Sequence, residues 1–204
     1  MINLHDDYLT KVEFGQLREE VFFGGVPWYY NEAKVNGSVD FNNYQFTHVF
    51  YEMNSDARVF TRSEKFPLML PILSRLSTIG IYRIKANLEP LKVGLDVWHG
   101  EEGTVSNVVS GVDRYYSEFH NDYKCDSMTT GIFYMNTCDG YTEFEDGSKV
   151  ECRANRFITF PSSLSHRGVS QLDARFKCVI NFNYFTPSKS VSYTHLTLPT
   201  IYSV

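Results

Sequence analysis

Beyond Pro90 the sequence is a succession of short β-forming runs cut by turn dipeptides, and this punctuation limits the fold more than any other feature. Candidate strands fall at 93–98, 115–120, 129–136, 142–144, 149–152, 156–160, 166–169 and 176–184. Asp139-Gly140, Asp146-Gly147 and Pro161-Ser162 supply turn signals between them. Many short strands at this spacing predict a sandwich or jelly roll. Two further strands are expected at 45–53, where Phe46, Val49 and Tyr51 are β-formers, and at 79–86. Two helices precede the β-rich part and are expected to cover one sheet. The first runs over 8–22, with Thr10 as N-cap and Glu13 completing a capping box. Phe14, Leu17 and Val21 share one of its faces, and Gly24, Gly25 and Pro27 end it. The second, over 63–78, carries Leu68, Leu70, Ile72, Leu73 and Leu76, with a kink expected at Pro71. Trp28, Tyr29 and Tyr30 are expected to pack a lid or core edge, and 31–43 to form a loop. The fold class is therefore mainly β with flanking α-helices.

The chain has 204 residues, 43% of them hydrophobic, which suits one packed domain rather than a disordered chain. The net charge of −5 and the lack of a Lys/Arg cluster give no basic face for a nucleic acid, so none is expected as a partner. Asp6, Asp7 and Glu13 interrupt any apolar leader, and no run is long enough to span a bilayer, so no membrane partner is expected. Cys125, Cys138, Cys152 and Cys178 lack CxxC spacing. They read as reduced thiols of a cytoplasmic protein, with a cross-strand contact open between Cys138 and Cys152. Residues 191–204 read VSYTHLTLPTIYSV, and the first ten resemble a translated sequencing-library adapter. The natural domain is accordingly expected to span 1–190, with 191–204 an artefact, and His195 is set aside as a ligand.

His120 closes the candidate strand 115–120 and Asp122 stands two residues on; in a strand such a pair points to the same side, so both could reach one metal. His166 opens another strand 44 positions after Asp122. Two imidazoles and one carboxylate form the facial triad of non-haem iron oxygenases, with three coordination positions left open. The spacing alone does not fix the metal, since a zinc hydrolase could use the same ligands. His48 and His99 have no partner at ligand spacing and are expected to be hydrogen-bonded or exposed. Asp126, Glu143 and Glu145 are expected to face solvent, and Arg156 to have a structural role, supporting the metal strand or pairing with Glu143 or Glu145.

The residues around the triad resemble the prolyl 4-hydroxylase-like iron(II)/2-oxoglutarate dioxygenases. Thr130-Gly131-Ile132-Phe133-Tyr134-Met135-Asn136 is similar to their strand after HxD, and Gly140-Tyr141-Thr142-Glu143-Phe144 to their Gly-rich hairpin. The segment 155–161 leads to His166 as in that family, and 177–185 resembles its closing strand. Pro27-Trp28-Tyr29-Tyr30 is also similar to viral and marine members. The resemblance implies a double-stranded β-helix, the cupin-like jelly roll. It implies His120, Asp122 and His166 as iron(II) ligands and catalytic residues, with 2-oxoglutarate and O2 consumed to hydroxylate an unidentified substrate. Ascorbate is a possible supporting reductant. It also implies a basic residue on the closing strand for the distal carboxylate of 2-oxoglutarate. Lys177 and Arg175 both qualify; Lys177 is favoured because the hydrophobic run after it anchors the register. Tyr134 matches the family's tyrosine that donates to the same carboxylate. The compartment expected is the cytoplasm, or the host cytoplasm if the chain is viral. The alternatives are a cupin-like metal-dependent hydrolase or isomerase, and a non-catalytic jelly-roll binding module. The entrance is expected to be shaped by 91–116, where nothing names a ligand.

Overall fold

The computed structural model describes residues 1–32, 44–53, 60–91, 114–125 and 127–187. The expected strand at 93–98, His99, Asp126, most of the 31–43 loop and of the entrance segment, and the tail 191–204 with His195 lie outside those residues.

The elements in chain order are β1 (Asn3–His5), α1 (Lys11–Phe22), β2 (Tyr29–Asn31), β3 (Gln45–Met53), β4 (Phe60–Arg62), a 3-10 turn (Phe66–Met69), α2 (Leu70–Leu73) and β5 (Gly80–Pro90). There follow β6 (Met128–Tyr134), β7 (Tyr141–Phe144), β8 (Lys149–Glu151), β9 (Phe157–Pro161), β10 (His166–Val169) and β11 (Phe176–Phe185). The large sheet runs β1-β9-β6-β11-β5-β3-β2, with β4 on β3; the small sheet is β10-β7-β8. Every strand pair is antiparallel. After Met128 the chain passes from the large sheet to the small one and back, twice. That alternation makes the expected jelly roll, and among the described residues no helix is long and apolar enough to cross a membrane.

Period-two side-chain alternation divides the large sheet into two faces. Outward, Phe133, Phe157, Cys178, Ile180, Phe182, Ile84 and Ala86 pack with Leu17 and Val21 of α1 and with Met69 and Ile72. Inward, Ile132, Tyr134, Ile158 and Phe160 meet Phe144 and Val150 from the small sheet. Each such large apolar side chain contributes about 1.5–3 kcal/mol on burial. α1 starts as its sequence dictates: the Thr10 hydroxyl accepts from Glu13 N at 3.3 Å, and Glu13 Oε2 accepts from Thr10 N at 2.9 Å.

Four expectations change. The helix over 63–78 shrinks to the 3-10 turn and α2, because Pro67 and Pro71 each remove an amide donor from consecutive turns. The expected strand at 115–120 forms only isolated pairs, Tyr116 with Val169 and His120 with His166. Arg156 pairs with neither Glu143 nor Glu145. Its Nε donates to Asp6 Oδ1 at 2.6 Å, tying the N-terminal segment to the start of β9. Glu143 is buried rather than solvent-facing, held by Arg167 at 2.6 Å and Lys149 at 3.5 Å. The four cysteines are free thiols, with Cys138 N donating to Cys152 O at 3.1 Å across the hairpin.

Asn155, beside Arg156, fastens the same segment. Its side chain accepts from Leu9 N at 2.9 Å and donates to Leu9 O at 2.8 Å, while its backbone sits at φ 63°. Asparagine tolerates that left-handed conformation better than a β-carbon residue lacking a local polar partner. Asn155→Ala should therefore lower stability by about 2–4 kcal/mol, and Asn155→Gly by less, since glycine keeps the backbone unstrained. Urea unfolding with an unchanged slope measures both; an alanine loss no larger than the glycine loss would remove the strain from this account.

Candidate functional site

The site begins with one reciprocal backbone pair. His120 N donates to His166 O at 3.0 Å, and His166 N donates to His120 O at 3.0 Å. Directly opposed residues of an antiparallel pair present their side chains on the same face. The two imidazole centroids consequently lie 4.6 Å apart. Asp122, two residues on, returns to that face, and one donor atom from each of His120, Asp122 and His166 lies within 4.8 Å of the others.

Each ligand atom is aimed by a second partner. His120 Nδ1 lies 3.2 Å from Glu118 O and His166 Nδ1 lies 3.1 Å from Leu164 O. A carbonyl only accepts, so Nδ1 carries the proton and each Nε2 keeps its lone pair free. Asp122 Oδ2 accepts from Thr130 Oγ1 at 2.7 Å and Asn183 Nδ2 at 2.9 Å. Its other oxygen is 3.9 Å from His120 Nε2 and faces the same point. Burial pushes the His166 imidazole below the ordinary histidine range, against the opposing pull of Asp122. Burial acts to raise Asp122. The neighbouring His166, the bonds from Thr130 and Asn183 and the nearby Arg83 outweigh it and hold the carboxyl below its usual range. Two imidazoles whose Nδ1 atoms face carbonyls, with a carboxylate beside them, suit one divalent cation.

A cavity of about 480 Å³ extends from the triad between the two sheets. Tyr134 and Lys177 lie on its wall, as the sequence places them. The buried Tyr134 hydroxyl is 2.7 Å from Thr142 Oγ1, and burial pushes the phenol up. Lys177 Nζ donates to Val169 O at 2.7 Å and stands 3.6 Å from Glu89 Oε1. A β-carbon on Gly140 would come within 3.0 Å of Lys177 Cδ and of Val169 O, so the glycine leaves the lysine stem its path. Arg175 stands apart. It precedes β11, is exposed, and is not among the cavity-lining residues. His48 is hydrogen-bonded elsewhere, to Pro27 O at 2.8 Å and Ser63 Oγ at 2.9 Å.

Sequence reasoning missed the opposite wall. Arg83, Lys85, Asn87 and Glu89 of β5 all line the cavity, alternating with Ile84, Ala86 and Leu88 on the outer face. The signal was present as strict alternation, but polar residues alternating in a strand ordinarily mark a solvent face. Thr130 and Asn183 were missed for a related reason, because nothing local shows that both reach Asp122.

No family model matches the chain, and no curated protein sequence matches it. Solved structures do. A prolyl hydroxylase from Trichoplax adhaerens, in complex with a hypoxia inducible factor oxygen degradation domain peptide fragment, superposes with TM-score 0.54 at 13% identity, covering 90% of this chain and 83% of that one. An oxidoreductase of the 2OG-Fe(II) oxygenase family from Burkholderia pseudomallei gives TM-score 0.56 at 7% identity, with 90% and 84% covered. The non-haem alpha-ketoglutarate-dependent epimerase SnoN of nogalamycin biosynthesis gives 0.50 at 9% identity, with 91% and 78% covered. At these identities the likeness is one of fold.

The bonds to Asp122 generate a test. Thr130→Val and Asn183→Leu each remove one donor that fixes the carboxylate without touching a ligand atom. Each should weaken divalent-metal affinity by about 10–100-fold. Manganese(II) titration followed by electron paramagnetic resonance measures it, and parental affinity in both variants would contradict the assigned orientation.

Proposed function

We propose that the chain is an iron(II)- and 2-oxoglutarate-dependent dioxygenase that hydroxylates a substrate C–H bond. The observation that carries this reading is continuity. The three-donor cluster lines the same cavity whose wall also holds Tyr134 and Lys177. The described residues fit the metal, because the donor set leaves three positions of an octahedron open. The jelly-roll fold shared with the oxygenase neighbours supports it.

In this reading His120 and His166 bind the metal through Nε2 and Asp122 through the oxygen that Thr130 and Asn183 leave unbonded. Bound iron(II) with 2-oxoglutarate would supply oxygen activation coupled to oxidative decarboxylation. The chain's own residues hold the cosubstrate in place. An ammonium has three donors; Val169 O takes one, Glu89 faces a second, and the third is free for the distal carboxylate. The Tyr134 hydroxyl adds a neutral donor beside it. Ile132 and Val179, which also line the cavity, keep water from the cosubstrate's methylene carbons.

Lys177→Ala should weaken 2-oxoglutarate binding to metal-loaded protein by about 2–5 kcal/mol, as for a broken buried charge pair. Tyr134→Phe should cost about 1–3 kcal/mol. Arg175→Ala should leave affinity near parental, since its side chain is exposed ahead of β11. The readouts are cosubstrate titration and succinate release in the presence of iron(II), 2-oxoglutarate and ascorbate. Indifference of all three variants would favour a cupin-like hydrolase or isomerase using the same ligands.

A further inference from the structure

Two cations in the cavity have no assignment. Arg83 and Lys85 project from the inner face of β5, at the end opposite to the Lys177–Glu89 pair. The register sets Arg83 beside Asn183 and Lys85 beside Asn181 on β11. Asn183 is the residue bonded to Asp122, so both cations stand about one strand spacing, roughly 5 Å, sideways from the metal-side row.

Neither cation has an ion pair among the described residues. Arg83 Nε is buried with no hydrogen-bond partner, and the guanidinium lies 5.9 Å from the Tyr123 ring. Burial lowers the Lys85 ammonium first and Arg83 adds to that, while Glu52 of β3 and Asp122 draw it the other way. Glu52 opposes Arg83 across the β3–β5 ladder but forms no ion pair with either residue. Asn181, which also lines the cavity, has a buried side-chain oxygen with no donor.

Adjacent like charges in a partly desolvated wall are unfavourable unless an anion joins them. The proposed cosubstrate does not relieve this. A divalent metal, Asp122, Glu89, Lys177 and a dicarboxylate balance one another to leave a single negative charge. Arg83 and Lys85 add two positive charges and Glu52 removes one, so the set is neutral; what stays unmet is bonding, since Arg83 Nε has no acceptor and Lys85 has no ion pair among the described residues. We propose that Arg83 and Lys85 form a binding station for an anionic group, carboxylate or phosphate, of the primary substrate. The unsatisfied Asn181 oxygen beside them calls for a hydroxyl or N–H donor on the same molecule. The substrate class is therefore a small acid with a neighbouring donor, its reacting carbon directed at the triad. This deepens the dioxygenase reading and rests on it.

The test uses inorganic phosphate and acetate as probes, titrated by calorimetry into the full chain loaded with manganese(II), with and without 2-oxoglutarate. One of the two anions should bind saturably to the parent, and which one binds separates phosphate from carboxylate substrates. In the double variant Arg83→Gln/Lys85→Gln that binding should weaken by about tenfold or more, as for lost charge-assisted bonds. Its 2-oxoglutarate affinity, measured at saturating manganese(II), should fall by less than its anion affinity. Lys85→Met keeps the stem and removes the charge; it reads the same way, by about threefold or more, should the double variant fail to fold. Three results would overturn the station: no saturable binding of either anion to the parent, parental anion binding in the variants, or a fall in 2-oxoglutarate affinity in place of anion affinity. If the parent binds phosphate or acetate but never 2-oxoglutarate, the dioxygenase reading fails while the anion station stands.

Discussion

A strand must place successive side chains on opposite faces, and β5, β11 and β6 put that rule to two uses at once. Their outer residues, among them Ile84, Ile180, Phe182 and Phe133, are fully buried under α1 and α2. Their inner residues, among them Arg83, Lys85, Asn181, Lys177 and Tyr134, form the polar wall of a cavity. The apolar set fixes the register, because a slip of one residue would bury Lys177 and Asn183 under a helix and turn Phe182 into the cavity. The position of every polar group in the site thus depends on core packing on the far side of the same strands.

The small sheet supplies what the large one lacks. Its outer strand β10 begins at His166, and the reciprocal bonds with His120 attach the 120–122 segment where no regular strand forms. The triad and the residues that orient it are therefore assembled from four non-contiguous segments. His166 comes from the small sheet, His120 and Asp122 from an irregular segment docked on it, and Thr130 and Asn183 reach across from the large sheet. Asp122 is the joint between the sheets, since it stands on one and is hydrogen-bonded by the other.

Legibility in the sequence followed locality. The His120–Asp122 spacing was readable because two residues share a face by backbone geometry alone. His166 was readable because it opens a strand after Pro161. Lys177 was readable through the apolar run that sets the parity of β11. Arg175 shares that parity, yet it falls one residue before the strand begins, where parity no longer dictates direction. The β5 stripe went unread because alternation tells which residues share a face but not whether that face meets water or a second sheet. The Asn155–Leu9 and Arg156–Asp6 contacts join residues 146 and 150 positions apart, and no local pattern encodes them. The helix over 63–78 failed for a local reason that was visible, Pro67 together with Pro71.

The central claim is that one metal and one 2-oxo acid share this cavity, in contact with each other. Anaerobic addition of 2-oxoglutarate to the iron(II)-loaded chain tests it directly, through the visible charge-transfer absorption of a 2-oxo acid chelated to iron(II). The account predicts that the band appears with one equivalent of each and vanishes in Asp122→Ala. Iron bound at the triad with no such band at saturating 2-oxoglutarate would contradict it.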